Sequence, residues 1–474
     1  MYRTLAVIAL ALGALWPSSA RAQETTDYAS GRKAAMTELI KRLEALAEWC
    51  NSEELFEERD RVWRSILTLD TNDVAARKGL RYARNPDGSW KEPAPREAKN
   101  MNKKALDEQL PAKRAAAIEP YRTALLSLLA KEPESSKLRQ DAYAEILSLD
   151  PDDAVVRGFR GEKLSDGKWV LQESWEGKKR RGEIKEFAKT ALATNATIEK
   201  YEPDASDTSL GVKWTSCLKT DVARVLSTGD DAEARKIVQL VVAVGPFFRS
   251  MFAVDTTYQE QWTCYVLAHP GEQVKFLDAI PWIAGDARAA LKGVVGCAFS
   301  GQPKVAYWDK DVPRRTDGCA RQTVNDFLGR TFGVSATQGW AWEGFGLYLT
   351  RELTGTRYTW FISTGSGKAN TTRARLMQPD CNWMNEALTL LGNADHPKLA
   401  KAVELDVTKM GTDDMLLGYA VAAYLLEGRA KDGTDLLRAI GGDGIPTAKA
   451  VETVLHMDLT QLEERVHRWL SERK

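Results

Sequence analysis

GCARQTVNDFLGRTFGVSATQGWAWEGFGLYLT, Gly318 to Thr350, reads as two helices broken between Gly333 and Gly339. The first carries Arg321, Gln322 and Asn325, with Arg321 and Asn325 one turn apart on one face. The second opens on Trp340-x-Trp342-Glu343-Gly344 and continues to Tyr348. From Asn325 to Glu343 is 18 residues. A glutamate near a helix start is favoured by the helix dipole whatever else it does. What it faces across the break decides its role.

Around this stretch the composition is balanced. The 66 Lys and Arg offset the 66 Asp and Glu, so bulk charge makes no case for nucleic acid or an anionic membrane. Residues 1–22 have the form of a signal peptide. Arg3 gives a basic start, Thr4 to Trp16 an apolar run, and Ala20-Arg21-Ala22 a small-x-small cleavage site, with Gln23 as the expected first mature residue. The apolar run is short for a membrane span, and no later segment approaches about 18 uncharged apolar residues. Val238 to Phe248, the most apolar stretch, is short and interrupted by Pro246. The expectation is an exported, soluble chain, periplasmic or extracellular, with no membrane insertion.

Fifteen tryptophans can serve aromatic binding surfaces, although the core is the commoner place for them. The six cysteines, Cys50, Cys217, Cys264, Cys297, Cys319 and Cys381, match no zinc-knuckle or C-x-x-C spacing. Export permits disulfides, and a chain this long does not need them. Cys264 and Cys297, both on expected strands of one sheet, are the first pair to consider.

Residues 23 to about 200 read as helical. Ile66–Arg77 (ILTLDTNDVAAR) aligns with Ile146–Arg157 (ILSLDPDDAVVR), identical at half the positions. Each is followed by a glycine–tryptophan element, Asp87-Gly88-Ser89-Trp90 and Asp166-Gly167-Lys168-Trp169. This predicts two copies of one helical unit, residues 23–100 and 101–205, each closed by a small turn or hairpin. The phrase I-L-x-L-D-P-x-D resembles the end of a tetratricopeptide-type hairpin, and such repeats offer concave surfaces to protein partners. Pro-rich residues 86–100 read as a linker, and Tyr201–Gly211 as the main domain boundary. Beyond it, Val222–Thr228 is a candidate strand and Asp230–Phe252 an apolar-faced helix. Gln261–Ala268 is a strand, and Gly293–Trp308 holds two strands joined at Ser300-Gly301. From residue 380 onward the pattern is helical, with Met415–Gly428 buried and Thr460–Arg473 amphipathic.

The order of helix, small sheet, paired helices and helical subdomain over roughly residues 215–474 resembles the catalytic domain of gluzincin zinc peptidases. More closely, it resembles exported peptidase-MA-like proteins with a helical N-terminal region. The residues that carry the likeness are Trp340-x-x-Glu343-Gly344-x-x-x-Tyr348 and the late Gly418–Gly428 helix. The resemblance implies a mainly α fold with a small β-sheet (α+β), a helical repeat region followed by a gluzincin-like domain at 206–474. It also implies a zinc site with two histidines one turn apart and Glu343 as third ligand. Counting back from Glu343 puts Arg321, Gln322 and Asn325 where two histidines and the general-base glutamate belong.

None can do that work. Arg321 has no lone pair to give, Asn325 offers only an amide oxygen, and Gln322 takes no proton near neutrality. The expectation is therefore a vestigial site at Arg321, Gln322, Asn325 and Glu343, with no metal, cofactor or catalytic residue. Arg321 should pair with Glu343 in place of the metal, with Asn325 donating to the same carboxylate. Cys297, Trp340, Trp342 and Tyr348 are candidates for lining the old cleft, and Val294–Gly301 for an edge strand that takes an extended peptide.

Other constellations are weak. His269 sits in a His-Pro-Gly turn, His396 in a polar loop, and Glu463 with His467 on a solvated helix face. Thr364–Asn370 (TGSGKAN) lacks the first glycine and final Ser or Thr of a phosphate loop, and no G-x-S-x-G elbow occurs. The expected role is a non-catalytic binding or scaffolding module for a protein or peptide partner. The alternatives are a hydrolase with a rebuilt site or a purely structural envelope protein.

Overall fold

A computed structural model describes residues 17–94, 98–133, 136–269, 271–281, 283–292, 294–299, 302–355, 369–378 and 380–473. Most of the expected signal peptide, Ser300-Gly301 and most of the Thr364–Asn370 loop lie outside the described residues. The fold is mainly α with small sheets, in two compact units, Met1–Gly161 and Glu162–Lys474.

In the first unit, α1 (Pro17–Ser52) turns Leu39, Leu43, Leu46 and Cys50 inward at helical spacing. They pack on α2 (Phe56–Leu69) and α4 (Leu110–Leu128), with Trp63, Ile66, Ile118 and Leu125 in the shared core. Between those helices lie α3 (Val74–Gly79), β1 (Ala83–Arg84) and β2 (Trp90–Lys91), followed by a π turn at Ala105–Gln109. Then come α5 (Lys137–Leu149) and α6 (Ala154–Phe159).

The two similar segments adopt the same local structure, bond for bond. The Asp70 and Asp150 N–H groups close the preceding helices on the Ile66 and Ile146 carbonyls, at 2.8 and 2.9 Å. Asp73 and Asp153 then cap the next helices by accepting from the Ala76 and Val156 N–H groups, at 2.6 and 2.9 Å. Arg77 and Arg157 reach back to the Thr71 and Pro151 carbonyls at 3.2 and 2.9 Å. Each segment leads into an antiparallel hairpin, β1–β2 in one and β3 (Glu162–Ser165) with β4 (Lys168–Leu171) in the other. Gly88 (φ 83°) and Gly167 (φ 75°) turn these hairpins, and Trp90 and Trp169 each follow two residues later.

The second unit continues with α7 (Gln172–Leu192), β5 (Glu199–Lys200), α8 (Ala205–Thr208), β6 (Ser216–Lys219), β7 (Ala223–Ser227), α9 (Asp231–Phe252) and β8 (Trp262–Leu267). There follow α10 (Glu272–Asp278), α11 (Gly285–Leu291), β9 (Gly296–Ala298), β10 (Lys304–Trp308), α12 (Val312–Phe332) and α13 (Gly339–Thr354). The helical remainder is α14 (Ala369–Leu376), α15 (Trp383–Leu391), α16 (Leu399–Ala402), α17 (Thr412–Gly428), α18 (Ala430–Gly441), α19 (Thr447–Leu455) and α20 (Leu459–Glu472).

Six strands form one mixed sheet in the order β5-β6-β7-β8-β10-β9. β7, β8 and β10 are parallel, and β9 is an antiparallel edge. Alternation along the strands sorts the side chains to two faces. Val225, Cys264, Val266, Val305 and Tyr307 meet α9 and Cys319 of α12 on one face. Leu226, Tyr265, Ala306 and Trp308 meet Phe276, Leu277 and Ile280 on the other.

The unit boundary differs from the expected one. The Tyr201–Gly211 break is internal to the second unit, and residues 162–205 belong there rather than to a second repeat. α7 buries Ile184, Ala188 and Ala191 in the main helical core of this unit and packs on α17 and α9, and charge pairs tie the start of the segment to the far end of the chain. Glu162 takes Arg468, and the Leu171 N–H and Ser174 hydroxyl both donate to Glu472. Glu173 on α7 takes a bidentate pair from Arg465 of α20. Partners some 300 residues apart leave no local trace.

Candidate functional site

α12 runs to Phe332 and is closed by Gly333 in the left-handed region (φ 74°). α13 starts six residues later and packs against α12 and α17. Two glycines set how closely. A Cβ at Gly344 would overlap the Gly418 carbonyl of α17, and one at Gly346 would overlap Asn325 Oδ1 of α12. The Glu343-Gly344-x-Gly346 sequence thus wedges α13 between two helices.

Arg321 and Glu343 meet across this seam. The Arg321 Nη2 donates to Glu343 Oε2, and both side chains are fully buried, at 0% and 1% exposure. Desolvation pushes the Glu343 carboxyl above the ordinary carboxylate range, and the guanidinium partly offsets this. The neighbouring Asn325 is also buried, yet among the described residues neither its amide nitrogen nor its oxygen has a hydrogen-bond partner. The expected Asn325–Glu343 bond is therefore absent. Asn325 Oδ1 instead stands over Gly346. Gln322, the next residue after Arg321, is half-buried.

These side chains do not fit a zinc ion. A permanent cation, Arg321, stands beside Glu343 and already holds its carboxylate. Among the described residues no group of three or more His, Cys, Asp or Glu side chains converges on a common point suited to a metal. Glu463 is engaged with His396 Nε2 at 2.9 Å and the Leu399 N–H at 2.6 Å, and His269 is exposed.

The four candidate cleft residues do not line one cleft. Trp340 is buried and donates to Thr447 of α19 at 3.2 Å. Trp342 is half-buried against the same helical core. Tyr348 is buried and donates to Glu427 of α17 at 3.0 Å. Cys297 lies with the cluster on the other side of the sheet, where burial raises its thiol to about 12.

Sequence reasoning missed Glu427. It receives a bidentate pair from Arg473, at 2.8 and 2.9 Å, and a bond from Arg181 at 3.2 Å, besides the Tyr348 hydroxyl. Its signal was present, as the lone charge in the otherwise uncharged run Met415–Gly428. Arg315 and Glu233, exposed 4% and 2%, form a second buried pair that joins α12 to α9.

All six cysteines are free thiols. Cys264 and Cys297 cannot bridge, because β10 lies between their strands. They pair with its successive residues Val305 and Ala306, so they point to opposite faces. Among the described residues no helix is long and apolar enough to cross a membrane.

No protein-family model matches this chain, and neither does any curated protein or solved structure compared with it.

Proposed function

We propose that this chain is an exported, non-catalytic, peptidase-like protein that binds or scaffolds a protein or peptide partner. The observation that carries the reading is the buried Arg321–Glu343 pair. It stands where the resemblance to gluzincin peptidases calls for a metal, and it neutralises the only carboxylate that the motif retains. Docking is better served at β9 than in the interior. β9 is the terminal strand of the six-stranded sheet and pairs on one side with β10. An extended segment can add to such an edge through main-chain hydrogen bonds.

The test is metal analysis of the dialysed protein together with a casein-cleavage assay. We expect no stoichiometric zinc and no cleavage. About one equivalent of zinc with chelator-sensitive cleavage would overturn the reading. Ala298→Pro, which spoils the outer edge of β9, should abolish partner capture. Capture equal to that of the parent would remove the edge-strand part of the proposal.

A further inference from the structure

A pocket of about 740 Å³ opens on the β5–β6 side of the sheet, and none of its lining residues belongs to α12, α13 or β9. Its apolar wall includes Val222, Val242, Pro246 and Tyr258. Pro246 sits inside α9. A proline has no N–H, so the Val242 carbonyl four residues earlier lacks its usual helical donor. The Tyr258 hydroxyl serves the preceding carbonyl, that of Val241.

One turn beyond Pro246, the half-buried Arg249 lines the same pocket. Its Nη1 donates to the Thr256 carbonyl at 3.1 Å, and among the described residues no carboxylate pairs with it. Arg181, Arg224, Arg315, Arg321, Arg465 and Arg473 of this unit each end on a carboxylate, whereas Arg249, like Arg288, ends on backbone carbonyl oxygen. Asp221, on the exposed β6–β7 turn, also lines the pocket and has no cationic partner among the described residues. The other two charged lining residues, Lys219 and Glu199, neutralise each other at 3.7 Å.

The pocket therefore offers one open guanidinium, a helix carbonyl without its donor, one open carboxylate and an apolar wall. We propose that it binds the C-terminal end of a short peptide. The α-carboxylate pairs with Arg249, which can take it bidentately. An N–H or ammonium group of the peptide meets the Val242 carbonyl or Asp221, and the terminal side chain lies on Val222 and Tyr258. A phosphate dianion fits less well, because among the described lining residues a single free cation would face it beside the Asp221 carboxylate. A neutral sugar would leave the guanidinium unused. The volume is within the range of small-ligand pockets, about 300–1,000 Å³. This inference does not rest on the β9 reading.

The test is equilibrium dialysis of the full chain against two randomised tripeptide pools, one with free and one with amidated C-termini, read by mass spectrometry. The free-acid pool should be retained, with amidation lowering retention at least tenfold. Arg249→Gln should lose the retention at unchanged melting temperature. Should Arg249→Gln fail to fold, Val222→Trp, which fills the pocket from a half-buried position, decides the matter by the same loss. Retention of neither pool, equal retention of both, or undiminished retention by a folded variant would overturn the proposal.

Discussion

Arg321 of α12 and Glu343 of α13 share a hydrogen bond at a point that solvent does not reach. The pair joins two helices that a six-residue connection already holds close, so its weight is electrostatic rather than topological. Removing one partner of such a pair strands a buried charge, which typically costs about 3–5 kcal/mol. Arg321→Ala should lower stability by that order in chemical denaturation. Arg321→Ala combined with Glu343→Gln should recover part of the loss, because the stranded charge is gone. A single variant as stable as the parent would show that the pair carries no such weight.

Glycines in this unit should divide by what stands over them. At Gly344 an added methyl meets the backbone of α17, which cannot swing aside as a side chain can. Gly344→Ala should cost about 1–3 kcal/mol, the usual range for overpacking. Gly182 lies on the exposed side of α7 with nothing within 4 Å of a new Cβ. Gly182→Ala should stabilise by about 0.5–1 kcal/mol through helix propensity. Thermal unfolding of the two variants checks the contrast, and equal shifts would refute it.

The paired aspartate caps predict a graded loss. Asp73 caps α3 from a half-buried position, so Asp73→Ala should cost about 1 kcal/mol. Asp153 caps α6, is buried, and holds Arg122 at 2.7 Å. Asp153→Ala removes a cap and a nearly buried ion-pair partner together, and should cost more. Urea denaturation of both variants measures the order, and the reverse order would mean that Arg122 contributes little.

How much of this was legible in the sequence depended on how far apart the partners lie. The matching turn and cap of the two similar segments could be read because each cap is written within four residues, at Asp73 with Ala76 and at Asp153 with Val156. The strands β7 to β10 could be read because their apolar residues come in short runs bounded by turns. The Arg321–Glu343 meeting was within reach because one short break separates the helices. The cleft was not legible, because Trp340 and Tyr348 are drawn inward by Thr447 and Glu427, roughly 80 to 107 residues later. Nor was the unit boundary, which depends on α7 burying Ile184 and Ala188 among residues far along the chain and on Arg465, Arg468 and Glu472 closing over Glu162, Leu171 and Glu173. The Cys264–Cys297 pairing failed for a related reason, since nothing local says that β10 lies between their strands.

Thiol chemistry gives a direct measurement. Burial holds Cys297 up at about 12 and Cys50 up at about 11, so neither is appreciably a thiolate at neutral pH. Iodoacetamide at pH 7.5 should leave both unmodified in the native protein, whereas alkylation after denaturation should count six thiols. Mass spectrometry of the non-reduced digest reads both results. A native disulfide, or rapid native labelling of Cys297, would contradict this arrangement.

The sign of the pH dependence tests which force governs Glu343. Desolvation raises its carboxyl in the folded protein above the ordinary value, and Arg321 only partly opposes the rise. The folded state then holds the proton more tightly than the unfolded state does. By linkage, the stability Glu343 contributes is fully present below the unfolded carboxyl value, about 4.3, and is lost as pH rises through the higher folded value. Glu343→Gln has no such proton, so the stability of the parent relative to this variant should fall from pH 4 to pH 7. Arg321→Ala sharpens the same slope, because without the guanidinium only protonation relieves the buried carboxylate. Its penalty should be smaller near pH 4 than at pH 7. If the parent instead gains on Glu343→Gln as pH rises, the ion pair outweighs desolvation and the carboxyl lies below its ordinary value. Denaturant titrations of the three proteins at both pH values separate these outcomes.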